Sequence, residues 1–253
     1  MSYNLNTPIA QRANKTVYKD NGNTIKLFVE DYSKADILNE ALNQARVEES
    51  TDLNIPKLVE VTKIDNRWAL VFEHVEGKTL EELMVACPEK EDEYLNMFVD
   101  IQLEILSKSA PLLSRVKDKF KRKITNCQDI DESTKYELLQ RLEGMKNHAK
   151  LCHGDFNPSN IVVKEDGSHY ILDWAHVTQG NASADVARTY LLFSIQNKTV
   201  LADKYLNLFA SKSGIEVKHI QRWIPIVAAT QLTKGIAEER DFLLKWVSVA
   251  EYQ

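Results

Sequence analysis

Apolar and polar positions alternate through much of the first 75 residues, and recur at helical spacing after them. Residues 16–19 and 23–29 are rich in β-branched and aromatic side chains and flank Asp20-Asn21-Gly22-Asn23. Asn-Gly tolerates positive φ at both turn positions, so this spacing predicts a hairpin. Residues 33–49 predict a helix. Ser33 is its N-cap, Asp36 stands three positions on, and Ile37, Ala41 and Ala45 recur every four residues. Residues 57–64 and 67–75 predict two more strands joined at Asp65-Asn66.

After Gly77 helical patterns dominate, at 79–86, about 90–107, about 113–125 and 132–149, punctuated by Pro88 and Pro111. Two short strands, 160–164 and 169–174, interrupt them around Glu165-Asp166-Gly167-Ser168. Helical spacing resumes at 184–196, 200–211, 216–232 and about 235–250. The pattern predicts an α+β protein: a small, mainly antiparallel sheet with one helix in 1–75, then a larger, mainly helical part in 76–253.

Composition removes several classes. With 43% hydrophobic and 27% charged residues in 253, the chain can bury a core and is not globally disordered. A formal charge of −5 argues against a nucleic-acid partner, which asks for a basic surface. No apolar run is long enough for a membrane helix, and the start MSYNLNTPIAQR has no secretory pattern. Cys87, Cys127 and Cys152 form no CxxC and read as free thiols, so a cytoplasmic location is expected.

The segment that carries chemistry is Leu151-Cys152-His153-Gly154-Asp155-Phe156-Asn157-Pro158-Ser159-Asn160, followed by Ile171-Leu172-Asp173-Trp174. Asp155 and Asn160 are five positions apart around a proline loop, and Asp173 ends the second strand of the hairpin that Asn160 begins. Two carboxylates and an amide oxygen at the rim of a hairpin are hard oxygen ligands suited to Mg²⁺, which keeps several waters and binds phosphates. The order His-x-Asp-x-x-x-x-Asn, then Asp, follows the logic of kinase catalytic loops.

HGDFNPSN followed by ILDW resembles the aminoglycoside phosphotransferase and choline kinase superfamily, small-molecule kinases with a bilobal protein-kinase-like fold. Gly154 stands where protein kinases carry Arg, and Trp174-Ala175 where they carry Phe-Gly, which favours the small-molecule branch. The resemblance implies ATP and Mg²⁺. It makes Asp155 the catalytic base and Asn160 and Asp173 the Mg²⁺ ligands. It makes His153 a buttress of the loop and Asp185, in SADVARTYLLF, the loop's anchor. Lys26 and Glu40 resemble the kinase pair in which Lys meets the α- and β-phosphates and Glu holds it. VFEHVEGKTL resembles the interlobe hinge, so the adenine edge would meet the Glu73 carbonyl and the Val75 amide. The two lobes would be 1–75 for nucleotide and 76–253 for catalytic loop, metal and acceptor.

One departure stands out. The stretch 9–16, where many members carry a glycine-rich loop, holds no glycine. Arg12 and Lys15 are then candidates for phosphate contacts, although Lys15 reads more simply as a solvated loop charge. The acceptor would be a small molecule with a hydroxyl group. Glu238, Glu239 and Asp241 leave a cationic acceptor open, and Trp174, Trp223 and Trp246 leave open an aromatic cage, although core roles explain those tryptophans more simply. His176 and Gln179 follow Asp173 closely enough to touch substrate. Asp185 follows Trp174 by only eleven positions, which leaves little room for a protein-binding segment. The chain is expected to be a monomer or small homo-oligomer. The alternative is a non-catalytic nucleotide-sensing module of the same fold.

Overall fold

A computed structural model describes residues 3–247. Packing divides the chain into two compact units. One holds the chain up to Pro88 together with Pro158–His176, and the other holds Glu89–Asn157 with the chain from Val177 on.

In the first unit the strands are β1 (Pro8–Gln11), β2 (Lys15–Asp20), β3 (Asn23–Phe28), β4 (Leu58–Ile64) and β5 (Arg67–Glu73), with helix α1 (Lys34–Ser50) between β3 and β4. Among the described residues they form an antiparallel five-stranded sheet in the order β1-β2-β3-β5-β4. Both expected hairpins form. Asn21 and Gly22 take φ of 44° and 77°, and Asp65 and Asn66 take 47° and 64°, as two-residue turns with two left-handed positions require. Ser33 caps α1 by accepting the Asp36 amide at 3.3 Å.

Alternation along β3 decides what the sheet offers each side. Phe28 joins Ile37, Ala41, Leu70 and Phe72 in one buried cluster beneath α1. Ile25 and Leu27 join Ala69 and Val71 in another. Lys26, two positions before Phe28, therefore shares the α1 face.

β1 differs from the sequence expectation, which has a loop over 9–16. Pro8–Gln11 has only one β-branched residue and is mostly exposed. Its strand character comes from pairing with β2 at the sheet edge, which local pattern does not reveal.

β6 (Lys78–Thr79) leads into α2 (Leu80–Ala86), where Thr79 and Glu82 complete a capping box. β6 pairs with β8 (Ile161–Val163), which pairs with β9 (His169–Ile171). Gly77 has φ 153°, and a Cβ there would stand 2.5 Å from the Val163 carbonyl oxygen. Gly77→Ala is expected to cost about 1–3 kcal/mol in urea unfolding, the scale of a strained backbone position. An unchanged midpoint would refute that close approach.

The second unit carries α3 (Glu91–Ser107), α4 (Val116–Asn126), α5 (Glu132–Gly144), β7 (Lys150–Cys152), β10 (Thr178–Gly180), α6 (Ala182–Ile195), α7 (Thr199–Ser213), α8 (Val217–Gln221), α9 (Ile224–Leu232) and α10 (Ala237–Trp246). Two helices differ from expectation. α5 stops at Gly144 rather than 149, and the chain then enters β7, which pairs with β10. The stretch 216–232 breaks into α8 and α9, because Pro225 lacks an amide hydrogen and fits only the first turn of a helix. The expected last helix runs to 250, and its positions 248–250 lie outside the described residues. Phe98 centres the core, with its ring 4.4 Å from Phe156 and 5.7 Å from both Phe193 and Tyr205. Each such buried aromatic contributes about 1.5–3 kcal/mol of transfer free energy.

Candidate active site

The first unit assembles one group of the candidate residues. The Lys26 ammonium donates to Glu40 Oε1 at 2.8 Å and to Asp173 Oδ1 at 3.0 Å. Three separate stretches of sequence meet there. β3 aims Lys26 at α1, and Glu40 comes from the buried face of that helix. Asp173 follows β9 in a left-handed conformation, with φ 62°. The Leu172 amide donates to the Asn160 carbonyl at 2.8 Å, which ties the two ends of the β8–β9 hairpin. Asn43 of α1 donates to the Ala175 carbonyl at 3.2 Å, so the helix that carries Glu40 is also fastened just past Asp173.

Lys15 brings a second ammonium to Asp173, 3.4 Å from Oδ2. The turn that places it is closed by the Arg12 amide on the Lys15 carbonyl at 2.9 Å. Burial opposes the charge on Asp173, but Lys26 and then Lys15 outweigh it and hold this carboxyl well below the usual range. Burial likewise opposes the charge on Lys26, and Asp173 and Glu40 outweigh it, so its pKa is raised. All these groups except Glu40 line a cavity of about 530 Å³, together with Phe72, Glu73, Val75 and Asn160. The wall thus joins ammonium groups, oxygen donors and an apolar aromatic ring.

Among the described residues, no three His, Cys, Asp or Glu side chains form a metal cluster. Mg²⁺ asks for less, one or two carboxylates beside phosphate oxygens. Asn160 and Asp173 share this cavity wall and offer oxygen donors, so the donor set fits that ion.

The second unit holds a separate group, around Asp155. After β7 comes His153, fully buried, whose Nδ1 accepts the Asp155 amide at 3.3 Å. Gly154, with φ 80°, donates its amide to Asp185 Oδ1 at 2.7 Å. Gln102 donates to the other Asp185 oxygen at 3.2 Å, and Tyr205 donates to Gln102. Burial raises the pKa of Asp185, against the pull of the Gly154 amide, His153 and Gln102. Thr189 donates to the Phe156 carbonyl at 2.8 Å. The loop is therefore fixed on both sides of Asp155, while the Asp155 side chain itself stays half-buried.

Arg188 is the residue the sequence reading missed. Its Nη2 lies 3.3 Å from Asp155 Oδ1, and its Nη1 donates to Gln231. Gln231 in turn donates to Glu239 at 2.5 Å. Asp185 and Arg188 stand one helical turn apart at the start of α6, so one helix face supplies both groups to the loop. The Arg of Asp-x-Ala-Arg was the available signal.

The remaining candidates have other surroundings. Trp174 and Trp223 are 1% and 2% exposed, and serve the core. Trp246 packs on Tyr190 and Phe242. Gln179 donates to the Pro111 and Leu113 carbonyls, and His176 is exposed. Glu238 and Asp241 are exposed, and Asp241 stands 3.5 Å from Arg240. Cys87, Cys127 and Cys152 are free thiols.

Residues 7–214 match the model of the phosphotransferase enzyme family (APH). No curated protein matches by sequence. Among solved structures, a thermostable mutant of aminoglycoside phosphotransferase APH(4)-Ia, in its N202A ternary complex with AMP-PNP and hygromycin B, aligns with TM-score 0.71 at 13% identity. That alignment covers 96% of this chain and 94% of that one. ADP-bound APH(2'')-Ib aligns with TM-score 0.63 at 15% identity, over 100% of this chain and 93% of that one. The type VIII aminoglycoside-3'-phosphotransferase aligns with TM-score 0.63 at 14% identity, over 90% and 93%. These likenesses establish the fold: a bilobal kinase-like architecture with an N-terminal five-stranded antiparallel sheet and one helix, and a helical C-terminal part.

Proposed function

Because the chain belongs to the phosphotransferase enzyme family, we propose that it moves the γ-phosphate of ATP to a hydroxyl group of a small molecule. The observation that carries this reading is Lys26 bridging Glu40 and Asp173 in the wall of one cavity. In this reading 1–75 is the nucleotide lobe, and 76–253 supplies the loop, the metal ligands and the acceptor site. The adenine edge meets the Glu73 carbonyl and the Val75 amide. Lys26, held by Glu40, meets the α- and β-phosphates. Asp155 receives the hydroxyl proton as the acceptor oxygen bonds to the γ-phosphorus and the bond to ADP breaks. Asn160 and Asp173 hold Mg²⁺, which when bound neutralises charge on the phosphate oxygens. His153 and Asp185 keep the loop in place. Three free thiols fit a cytoplasmic location. Among the described residues, no helix is long and apolar enough to cross a membrane.

Lys15 takes over part of what a glycine-rich loop does elsewhere, by presenting an ammonium where backbone amides would stand. Lys15→Met is expected to raise KM for Mg-ATP roughly 10-fold or more, since a charge-assisted hydrogen bond contributes about 1.5–3 kcal/mol. An unchanged KM would return Lys15 to the status of a surface charge.

The glycine-free turn also favours a second reading, a nucleotide sensor without turnover. Titration with Mg-ATP beside a phosphorylation assay on sugars, amino sugars, amino alcohols and hydroxy acids separates the two. Thermal stabilisation accompanied by turnover supports the kinase, and stabilisation without turnover on any acceptor supports the sensor. A cationic acceptor would draw on Glu239, the half-buried carboxylate of the Gln231 network.

A further inference from the structure

A second cavity, of about 390 Å³, lies wholly within the second unit and shares no residue with the cavity of Lys26 and Asp173. Its wall is sewn together from separate stretches of chain. Lys117, in the first turn of α4, donates its ammonium to the Glu143 and Met145 carbonyls at 2.9 and 2.8 Å, at the end of α5. Asn181 donates to the Lys146 carbonyl at 3.2 Å and accepts the Ser183 amide at 3.0 Å, capping α6. β10 runs close beside α4 because Gly180 carries no Cβ; one there would stand 2.2 Å from Val116 Cγ1. The cavity is therefore formed by the protein's own contacts, as ligand pockets usually are.

The chemistry of the wall is one-sided. Arg115, Lys117, Lys146 and His148 line it, and among the described residues no Asp or Glu does. Lys117 is taken up by its two carbonyls. The side chains of Arg115, Lys146 and His148 make no hydrogen bond or ion pair among the described residues. Asn147 adds an amide beside them. Trp223 also lines the cavity. It is 2% exposed, its ring stands 6.4 Å from Phe120, and its indole N–H has no hydrogen-bond partner among the described residues. A buried indole N–H usually has one, and an oxygen atom inside the cavity would supply it.

We propose that this cavity binds a small molecule carrying a phosphate monoester. Arg115 and Lys146 take the phosphate, with His148 and Asn147 as further donors. Trp223 offers its ring to the organic part and its N–H to an oxygen there. A phosphate monoester brings close to two negative charges and three acceptor oxygens, so it matches two cations and two further donors better than a carboxylate does. The seat stands on the cavity and does not rest on the kinase reading. Ala149 leads straight into β7, and β7 into His153, Gly154 and Asp155. A ligand bridging Arg115 and 146–149 therefore steadies the strand that delivers the loop.

Calorimetry on the full chain, at constant ionic strength, compares glycerol 3-phosphate, inorganic phosphate, glycerate and glycerol. Both phosphates are expected to bind, with glycerate weaker and glycerol silent. Arg115→Gln/Lys146→Gln raises Kd for glycerol 3-phosphate roughly 10-fold or more, the scale of a lost charge-assisted hydrogen bond. Lys146→Arg retains the binding, and so does Lys15→Met in the other cavity. Arg115 and Lys146 are exposed, so the double variant keeps the native melting temperature without ligand. Hydrogen exchange places the ligand, with the amides of 115–118 and 146–152 slowed when glycerol 3-phosphate is added. Four results overturn the seat: no binding of either phosphate, binding untouched by the double variant, glycerate bound at least as tightly as glycerol 3-phosphate, or slowed exchange confined to 15–28.

Discussion

Asp155→Asn is expected to bind Mg-ATP as the native protein does, while kcat falls by roughly 10²–10⁴-fold, the usual scale of a lost general base. The substitution is nearly isosteric, and most contacts that hold the loop are not made by the side chain it changes. The Asp155 amide still reaches His153, Asn157 still donates to the Asp155 carbonyl at 2.8 Å, and Asp185 still receives the Gly154 amide. Asn also keeps an oxygen that can face Arg188. What disappears is a carboxylate able to take the hydroxyl proton. The measurement is steady-state turnover beside nucleotide titration. Native kcat in the variant removes Asp155 from the chemistry, and loss of nucleotide binding assigns it a structural role.

In the proposed reading Asp173→Ala is expected to lower turnover roughly 10³-fold or more, because a metal held there would supply several kcal/mol of charge stabilisation at the phosphates. Its effect on binding is opposite in sign to that of an ordinary ligand loss. Without Asp173, Lys26 keeps Glu40 but both Lys26 and Lys15 lose a shared carboxylate, so metal-free ATP should bind at least as well as before. Titrations with Mg-ATP and with ATP in EDTA separate these effects. Equal loss of both would deny Asp173 a metal role.

The same variant has a pH signature. The Asp173 pKa is depressed in the folded chain by Lys26 and Lys15, so its contribution is fully present above the unfolded value of about 3.9 and is lost as pH falls towards the folded value. Asp173→Ala should therefore be less stable than the native chain at pH 7. The gap should narrow below about pH 4.

Where local chemistry decided the structure, the residues could be read directly. The turns at Asn21-Gly22 and Asp65-Asn66, the Ser33 cap and the Thr79 helix start all follow from side chains acting on their own backbone. The Lys26–Glu40 pair was legible through its resemblance to the kinase pair, with alternation in β3 and the apolar stripe of α1 compatible with those faces meeting. What stayed hidden depends on partners far along the chain. β7 and β10 are three residues each and exist through Cys152 opposite Thr178. β1 is strand only because β2 lies beside it. Pro225 was visible and its effect was missed, since the apolar spacing continues across the break it makes.

The hairpin from Pro158 to His176 belongs to the same compact unit as the N-terminal sheet. Neither unit is thus an unbroken piece of the gene, and the chain passes between them at 88/89, 157/158 and 176/177. A fragment ending at Pro88 would keep Lys26 and Glu40 but lose Asp173, and β6 would be left without β8. Recombining the first unit of one relative with the second unit of another therefore takes three joints. A single crossover near Gly77 would join a sheet to a hairpin evolved for a different one.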